Sequence, residues 1–236
     1  MKKTITWLSP ADGPTWFPPI EQALDEPPGL LAAGGDLSPE RLLAAYSRGV
    51  FPWYSTGQPV LWWAPDPREV LFPDEFHLSR SLARTLRRRT FETTIDRDFE
   101  AVVRGCAAPR PGSRGTWITG EMRSAYVRLH QLGVAHSIEV RLAGQLAGGL
   151  YGVQLGRVFF GESMFSRERD ASKVAVAALV EACRARDIVV IDCQLPSPHL
   201  KTLGSRSISR ARFGALLAEH IGPGVANACD PPGDPI

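Results

Sequence analysis

Two apolar runs in the second half of the chain predict a pair of buried strands joined by a helix. The runs from Val158 to Met164 and from Ile188 to Gln194 are rich in β-branched and aromatic residues. The Ala, Val and Leu residues after Asp170 recur at helical spacing, and residues 165–169 form a polar turn before them. Such runs are typical of strands buried on both faces and of the helix that crosses between them. A parallel crossover of this kind brings the carboxyl ends of both strands to one edge of the sheet.

Three polar residues stand at the ends of these two strands. Glu162 ends the first strand, and Asp192 and Gln194 end the second. Because open α/β sheets commonly bind ligands beyond the carboxyl ends of their strands, we expect these three side chains to converge on one pocket. On a regular strand Asp192 and Gln194 share a face, since they are two positions apart. By the residues alone, a buried salt bridge for Glu162 and strand-end capping for the other two are equally good interpretations.

Residues 1–66 have a different pattern, in which Pro, Gly and Trp interrupt every apolar run. This composition predicts a small, turn-rich N-terminal domain over residues 1–66, followed by a larger domain over residues 67–236. One helix stands out near its middle. Ser38 can cap it, Pro39 suits its first position, and Gly49 can end it.

The larger domain is predicted to contain helices, then a meander of strands, then the strand-helix-strand unit. The order predicts an α+β fold. The individual predictions are a helix from His77 to Arg89 with Leu78, Leu82 and Leu86 on one face, a strand at residues 93–95, a helix capped by Asp96, a loop at 109–115, a helix from Thr119 to Gly133, a strand at 136–142 with a turn at 143–144, and a final helix capped by Ser209. Residues 230–236 are predicted to be disordered.

Four arginines form a basic stripe on the helix predicted after His77. They are Arg80, Arg84, Arg87 and Arg88, which fall on one face at positions i, i+4, i+7 and i+8. A solvated helix face is the commoner explanation for such a stripe. A contact with a polyanion is the alternative, because phosphate binding requires a row of cations. The formal charge of +2 does not decide between them.

Composition excludes several other classes of protein. The four cysteines are scattered, without the spacing of a zinc site, and we expect no metal and no disulfide. No apolar run approaches the roughly 20 residues of a membrane helix. Prolines and an aspartate soon after Met1 argue against a signal peptide. We therefore expect a cytoplasmic protein, and a monomer, since no long apolar heptad pattern is present.

Nine short motifs occur in an order that resembles one known family. The motifs are Gly29-Leu-Leu-Ala-Ala-Gly-Gly-Asp-Leu, Arg48-Gly-Val-Phe-Pro-Trp-Tyr, Trp63-Ala-Pro-Asp-Pro-Arg, Phe76-His-Leu-Ser-Arg-Ser-Leu, Gly115-Thr-Trp-Ile-Thr, Ala135-His-Ser-Ile-Glu, Gly148-Gly-Leu-Tyr-Gly, Phe160-Gly-Glu-Ser-Met-Phe-Ser and Ile191-Asp-Cys-Gln. Together they resemble the leucyl/phenylalanyl-tRNA-protein transferases, over roughly residues 14–217. Each motif alone is weak evidence, whereas nine in order are specific.

The resemblance implies a reaction and a fold. Members of the family move Leu or Phe, and Met less well, from aminoacyl-tRNA to the α-amino group of proteins that begin with Arg or Lys. The transfer marks the acceptor for degradation through the N-end rule. The family fold pairs a small N-terminal domain with a GNAT-like acyltransferase domain. An aminoacyl ester is already activated, so we expect no cofactor, ATP or metal.

The resemblance also implies roles for individual residues. Asp192 would draw on the α-amine through Gln194, although both could instead mainly position the substrates. Glu162 would supply negative charge for the cationic end of the acceptor. Trp53 and Trp117 would contact the terminal adenosine and the aminoacyl group. The plausible walls of an apolar pocket for the amino acid side chain are Met164, Phe160 and Leu150. The stripe of Arg80, Arg84, Arg87 and Arg88 would bind acceptor-stem phosphates.

Alternatives remain at several of these positions. The tryptophans and the pocket walls could be ordinary core residues, Cys193 is expected in the core, and His199 could shape the acceptor site or be structural. Pro196 and Pro198 depart from the family pattern on the acceptor side. The rival functions are a coenzyme A-dependent N-acetyltransferase and a tRNA-binding module without activity. The turn at residues 166–172 lacks the glycines that would cradle a pyrophosphate, which disfavours the former.

Overall fold

The computed structural model describes residues 3–9, 11–109 and 116–222. The predicted disorder of residues 230–236 lies outside these ranges, as does all but the first residue of the predicted loop at 109–115. None of the helices in the described ranges is long and apolar enough to cross a membrane.

In the described residues, the N-terminal part contains a small four-stranded sheet, a short 3-10 helix at Ile20–Gln22 and an α-helix. The sheet has the order β1-β2-β4-β3, with β1 at Thr6–Leu8, β2 at Leu30–Gly34, β3 at Phe51–Pro52 and β4 at Leu61–Trp63. Helix α1 spans Pro39–Tyr46. The Ser38 hydroxyl accepts a hydrogen bond from the Arg41 amide, and Gly49 has a φ of 72° just beyond the helix. The predicted cap and end of this helix are confirmed.

A seven-stranded sheet forms the rest of the molecule. Its order is β11-β5-β10-β9-β8-β7-β6, where β5 is Arg68–Leu71, β6 Phe91–Ile95, β7 Ala135–Leu142, β8 Gln145–Leu155, β9 Val158–Ser166, β10 Val190–Gln194 and β11 Arg206–Ile208. The helices are α2 at Arg80–Arg87, α3 at Phe99–Ala107, α4 at Gly120–Gln131, α5 at Ala171–Ala185, α6 at Pro198–Lys201 and α7 at Arg210–His220. The predicted α+β class is confirmed.

Strands β9 and β10 are parallel and are joined through α5, as the apolar pattern predicted. Strand β9 runs to Ser166, so Glu162 lies within the strand and not at its end. The prediction for the first basic helix was partly wrong, because α2 begins only at Arg80. Leu82 is buried beneath it, whereas Leu78 and Leu86 are 47% and 36% exposed.

Asp96 does not cap the next helix. It adopts a left-handed φ of 56°, and α3 begins three residues later, at Phe99. The Asp96 carboxylate instead accepts a hydrogen bond from the Ser137 amide at 2.8 Å and contacts His136 Nδ1 at 2.7 Å. The left-handed conformation turns the chain out of β6, and the side chain fastens that turn to β7. Residue spacing alone could not predict these partners, because they lie about 40 positions away in the sequence.

Two irregularities separate β9 from β10 at the centre of the sheet. Against β8, Gly152 pairs with Gly161 and Tyr151 pairs with Ser163, which leaves Glu162 as an extra residue in β9. Against β5, Asp192 and Gln194 pair with consecutive residues, which leaves Cys193 as an extra residue in β10. Extra residues of this kind bend a strand and redirect its side chains. The pairing between β9 and β10 ends at Phe160 and Asp192, and the strands part beyond that point.

The hydrophobic core lies on both faces of the large sheet and continues into the N-terminal part. Leu42 and Tyr46 of α1 belong to the same buried cluster as Tyr126 and Phe160. A second cluster lies under α5 on the opposite face of the sheet. The division into domains at residue 66 stays a prediction, since the buried cluster is continuous across that position.

We predict that Gly152→Ala destabilises the protein by about 1–3 kcal/mol, because overpacking forces the backbone to move. A Cβ at Gly152 would lie 2.2 Å from the Phe160 carbonyl oxygen and 2.5 Å from the Phe159 ring. The matched control is Gly214→Ala in α7, where no heavy atom lies within 4 Å. There alanine should stabilise the protein by about 0.5–1 kcal/mol. Urea unfolding measures both, and equal midpoints for Gly152→Ala and the wild type would contradict the tight contact at this irregularity.

Candidate active site

A cavity of about 910 Å³ opens where β9 and β10 part. Its floor is apolar, and polar residues stand at its rim. Apolar side chains from the sheet, α5 and α6 contribute to its lining, namely Leu71, Leu150, Met164, Val176, Leu179, Ile191 and Leu200. The polar lining residues include Ser166, Arg167, Ser172, Ser197 and His199. The predicted trio of Glu162, Asp192 and Gln194 lies along the same cavity.

Glu162 is held by hydrogen bonds on both carboxylate oxygens. Tyr126 donates its hydroxyl to Oε2 at 2.5 Å, and Gln194 donates its side-chain nitrogen to Oε1 at 2.9 Å. The Tyr46 and Tyr126 hydroxyls are 2.6 Å apart. Because the Tyr126 proton is given to Glu162, Tyr46 acts as the donor to Tyr126. A chain of four side chains therefore runs from α1 to β10 through the carboxylate.

Burial sets the acid strength of Glu162. The side chain is almost completely enclosed, and loss of water is the largest influence on it, raising its pKa to about 7. The hydrogen bond from Tyr126, the Tyr46 hydroxyl behind it and the hydrogen bond from Gln194 oppose the rise in pKa, and the negative charge of Asp192 adds to it. This carboxyl group can therefore take up or release a proton near neutral pH.

Gln194 connects the carboxylate to the open cavity. Its φ of 64° lies in the left-handed region, and this strained position follows the extra residue Cys193. The Gln194 amide donates to Asp192 Oδ1 at 2.9 Å, and its side-chain nitrogen donates to Glu162. Among the residues that the structure describes, none hydrogen-bonds to the Gln194 side-chain oxygen. That oxygen can accept a hydrogen bond from a molecule in the cavity.

Asp192 forms a buried ion pair with Arg68. Arg68 Nε and Nη2 lie 2.8 and 2.6 Å from the two carboxylate oxygens, and the side chains are 1% and 0% exposed. The third Arg68 nitrogen donates to the Gly49 carbonyl at 3.0 Å, and the guanidinium lies 4.8 Å from the centres of the Phe51 and Phe213 rings. Bidentate geometry and these additional contacts are what a buried charge pair requires.

The Asp192 carboxylate bonds to the main chain of Gln194 and not to its side chain. The expectation that the two residues share a face rested on regular alternation, which the extra residue Cys193 interrupts. Cys193 itself is partly buried and packs against the core cluster under α5, as expected, but it also lines the cavity.

The remaining predicted residues are divided between the cavity and other places. Trp117, Met164 and Leu150 line the cavity. Phe160 does not, because the extra residue Glu162 reverses the alternation of β9, and its ring is buried 5.1 Å from the ring of Tyr46. Trp53 is 41% exposed, packs against Trp63 and is absent from the cavity lining.

The four stripe arginines are all exposed at α2. Arg84 and Arg88 also border a second recess, of about 410 Å³. His199 lines the main cavity, and its Nε2 is buried without a hydrogen-bond partner among the described residues. Within the same part of the chain, no cluster of three or more His, Cys, Asp or Glu side chains could hold a metal ion.

Sequence analysis missed Arg68, Tyr46 and Tyr126. Arg68 is 124 positions from Asp192, and Tyr46 is 80 positions from Tyr126. The residues that flank each of them in the sequence are those of ordinary core positions. The sequence contains no local signal for the pair, because the burial of Arg68 and its carboxylate partner are visible only in the fold.

Comparison with known proteins gives consistent family matches. The model of the family described as "Leucyl/phenylalanyl-tRNA protein transferase" matches residues 70–218, and that of its N-terminal domain matches residues 35–66. A leucyl/phenylalanyl-tRNA-protein transferase of Pseudomonas entomophila is 59% identical over 217 residues, covering 92% of this chain and 95% of the relative. The one from Stutzerimonas stutzeri is also 59% identical, with the same coverage.

Similar solved structures are more distant. A GCN5-related N-acetyltransferase from Kribbella flavida has a TM-score of 0.40 and 8% identity, covering 72% of this chain and 61% of its own. The structure of L-PGS from Bacillus licheniformis has a TM-score of 0.41 and 10% identity, covering 71% of this chain and 54% of its own.

We predict that Arg68→Met destabilises the protein by about 3–5 kcal/mol, because it leaves the Asp192 carboxylate buried without a counter-charge. The double variant Arg68→Met with Asp192→Leu should lose less, since it leaves no charge behind. Urea unfolding of the single and double variants measures the coupling between the two positions. A double variant less stable than Arg68→Met would contradict the view that the orphaned charge causes the loss.

We also predict that the stability contributed by Glu162 falls as pH rises. Its ordinary pKa is 4.5 and its folded pKa is about 7, so the folded protein binds more protons than the unfolded chain between these values. The contribution is complete below pH 4.5 and is lost as pH rises through 7, at up to about 1.4 kcal/mol per pH unit. The measurement is the unfolding free energy of the wild type minus that of Glu162→Gln. A difference that stayed constant from pH 5 to 7.5 would contradict the raised pKa.

Proposed function

The chain belongs to the leucyl/phenylalanyl-tRNA-protein transferase family, and we propose that it moves Leu or Phe from aminoacyl-tRNA to the N-terminal α-amino group of proteins that begin with Arg or Lys. It is an aminoacyltransferase, and its substrates are an aminoacyl-tRNA and an acceptor protein. The observation that carries the proposal is the Glu162–Gln194 pair above the apolar floor of the cavity. The transfer marks the acceptor for N-end rule degradation, in the cytoplasm, and the enzyme acts as a monomer without a cofactor.

The reaction requires one proton to move and one oxyanion to be stabilised. The acceptor amine attacks the ester carbonyl carbon, a C–N bond forms, and the C–O bond to the ribose breaks. The proton lost by the amine ends on the ribose oxygen that leaves. Since the ester is already activated, correct placement of amine and carbonyl supplies much of the acceleration.

Gln194 and Glu162 are suited to the amine. Gln194 lines the cavity, and in this scheme its side-chain oxygen accepts a hydrogen bond from the amine, which aligns the nitrogen lone pair with the carbonyl carbon. Glu162 accepts a hydrogen bond from the Gln194 side-chain nitrogen and has a pKa of about 7. Its carboxyl group is therefore neutral below pH 7 and negatively charged above it. Its charge favours the ammonium group and the Arg or Lys side chain of the acceptor.

Asp192 acts as a positioning residue in this scheme. Both of its oxygens accept hydrogen bonds from Arg68, and one also accepts a hydrogen bond from the Gln194 backbone amide. Its side chain is 0% exposed, so these bonds leave it poorly placed to take the amine proton directly. Its effect is to fix the left-handed backbone of Gln194, and this favours orientation over direct proton transfer by Asp192.

The apolar floor accounts for the choice of Leu and Phe. Leu150 and Met164 are directly paired across β8 and β9, and Ile191 lies on the neighbouring strand. A hydrophobic pocket discriminates by about 1–3 kcal/mol per methylene, so Met should be accepted less well than Leu. Trp117 on the same cavity suits contact with the aminoacyl-adenosine end, and the exposed Trp53 suits stacking on a base. The exposed stripe on α2 suits the acceptor-stem phosphates.

We predict leucine transfer from Leu-tRNA to a peptide that begins with Arg, and little to the same peptide that begins with Ala, without ATP or added metal. Glu162→Gln should lower kcat/KM by about 10²–10⁴-fold, the usual range for a group that handles a proton. The matched control is Glu219→Gln on the exposed face of α7, which should leave transfer unchanged. Labelled leucine in the peptide is the readout.

Two results would count against this scheme. Absence of transfer by the wild type, with tRNA still bound, would leave a binding module or another acyl donor. Equal activity of Glu162→Gln and the wild type across pH 6–8 would remove Glu162 from the chemistry while leaving the reaction itself in place.

A further inference from the structure

The turn between β9 and α5 carries an arginine whose guanidinium is fixed at the rim of the cavity. Arg167 Nη1 donates to the Leu146 carbonyl at 3.1 Å, and the guanidinium lies 5.3 Å from the centre of the Phe165 ring. Its backbone amide also donates to the Ala147 carbonyl, at 2.7 Å. Among the described residues, no carboxylate pairs with it. Arg167 also lines the cavity and is exposed to solvent, so a cation with unused donors is available there.

Two residues further on, the same turn contributes to the second recess. Arg169 is 96% exposed and borders this recess together with Arg84 of α2 and Arg88, the residue that follows α2. Ser81, Thr85 and Thr90 add hydroxyl groups to its lining. Asp170 also lies there, but it contacts Lys173 at 3.4 Å as well as Arg169 at 3.8 Å. In the described part of the chain, Arg84 and Arg88 form no ion pair, so the recess keeps a positive excess.

The turn therefore connects the cationic recess to the cavity. Residues 167 and 169 are at most about 7 Å apart along the chain, since each residue spans no more than about 3.6 Å. A short row of cations results, with three arginines in the recess and a fourth at the cavity. A row of this kind matches the repeated charges of a nucleic-acid backbone better than a single anion.

We propose that Arg167 and Arg169 bind phosphates of the unpaired 3′ end of the tRNA and guide it from the α2 stripe into the cavity. This rests on the proposed function. Arg167 binds the phosphodiester next to the terminal nucleoside, and Arg169, with Arg84 and Arg88, binds a phosphate further from the end. Contacts to phosphate are independent of base sequence, as required for an enzyme that accepts several tRNAs carrying the same amino acid.

The test uses three leucyl donors of increasing length. They are the leucyl ester of adenosine, which has no phosphate, the leucyl ester of the terminal cytidine-cytidine-adenosine trinucleotide, and Leu-tRNA. Transfer to one Arg peptide is measured for the wild type, Arg167→Gln, Arg167→Lys and Arg169→Gln. Arg128→Gln in the last turn of α4 is the control, because Arg128 is also an exposed arginine but borders neither the cavity nor the recess.

Arg167→Gln should raise KM about tenfold for the trinucleotide and Leu-tRNA and leave KM for the adenosine ester unchanged. Arg167→Lys should be intermediate, because lysine keeps the charge without the fixed fork. Arg169→Gln should raise KM for Leu-tRNA more than for the trinucleotide. Arg167→Gln and Arg169→Gln should each also reduce the slope of log KM for Leu-tRNA against log salt by about 0.7, the value for one phosphate contact on a single strand. Arg167→Lys should keep the wild-type slope, because it keeps the charge.

Several results would overturn the proposal. One is an equal loss with the adenosine ester, which would mean that Arg167 acts on the shape of the cavity. Another is unchanged KM for all donors in both glutamine variants. If Arg167→Gln fails to fold, Arg167→Lys decides, since an unchanged KM for the trinucleotide and Leu-tRNA would exclude a phosphate contact that depends on the arginine fork. If the wild-type enzyme transfers leucine from none of the three donors, the proposed function itself is wrong. This outcome differs from the results above, in which the wild type is active and only the arginine contacts are wrong.

Discussion

The arrangement of the site depends on the buried pair of Arg68 and Asp192. A charge pair enclosed between two aromatic rings is tolerable only when every donor and acceptor is satisfied, and here the Gly49 carbonyl and the Gln194 amide complete the set. These contacts join β5, β10 and the turn after α1. The same pair holds Gln194 in a left-handed conformation that a strand alone would not adopt. One ion pair therefore both joins these elements and fixes the backbone of a residue at the site.

The second constraint is the extra residue in each of the two central strands. Without Glu162 and Cys193 as additional positions, β9 and β10 could remain paired along their length and would leave no space between them. The separation exposes an apolar floor and presents a carboxylate and an amide above it. Glycines at Gly152 and Gly161 make the irregular pairing sterically feasible. The cavity is therefore a product of backbone geometry more than of side-chain size.

Much of this could be predicted from the sequence, for identifiable reasons. The β9–α5–β10 crossover and the caps at Ser38, Thr119 and Ser209 follow from local patterns, and the structure has them. The extra residues could not be predicted, because an alternating pattern gives no sign of where pairing slips by one residue. This is why Phe160 was expected in the cavity and lies in the core instead. Partners far apart in the sequence, such as Arg68, were invisible for the same lack of a local signal.

The hydrogen bond between Tyr46 and Tyr126 has an evolutionary consequence. It places the last residue of α1, from the N-terminal part, two hydrogen bonds from the carboxylate whose proton affinity it helps to set. The two parts of the chain therefore cannot drift independently. A hybrid gene that joined the first segment of one relative to the second segment of another would have to inherit both hydroxyls together, or else compensate for a carboxylate of altered acidity. Recombination at this junction is constrained by chemistry as well as by packing.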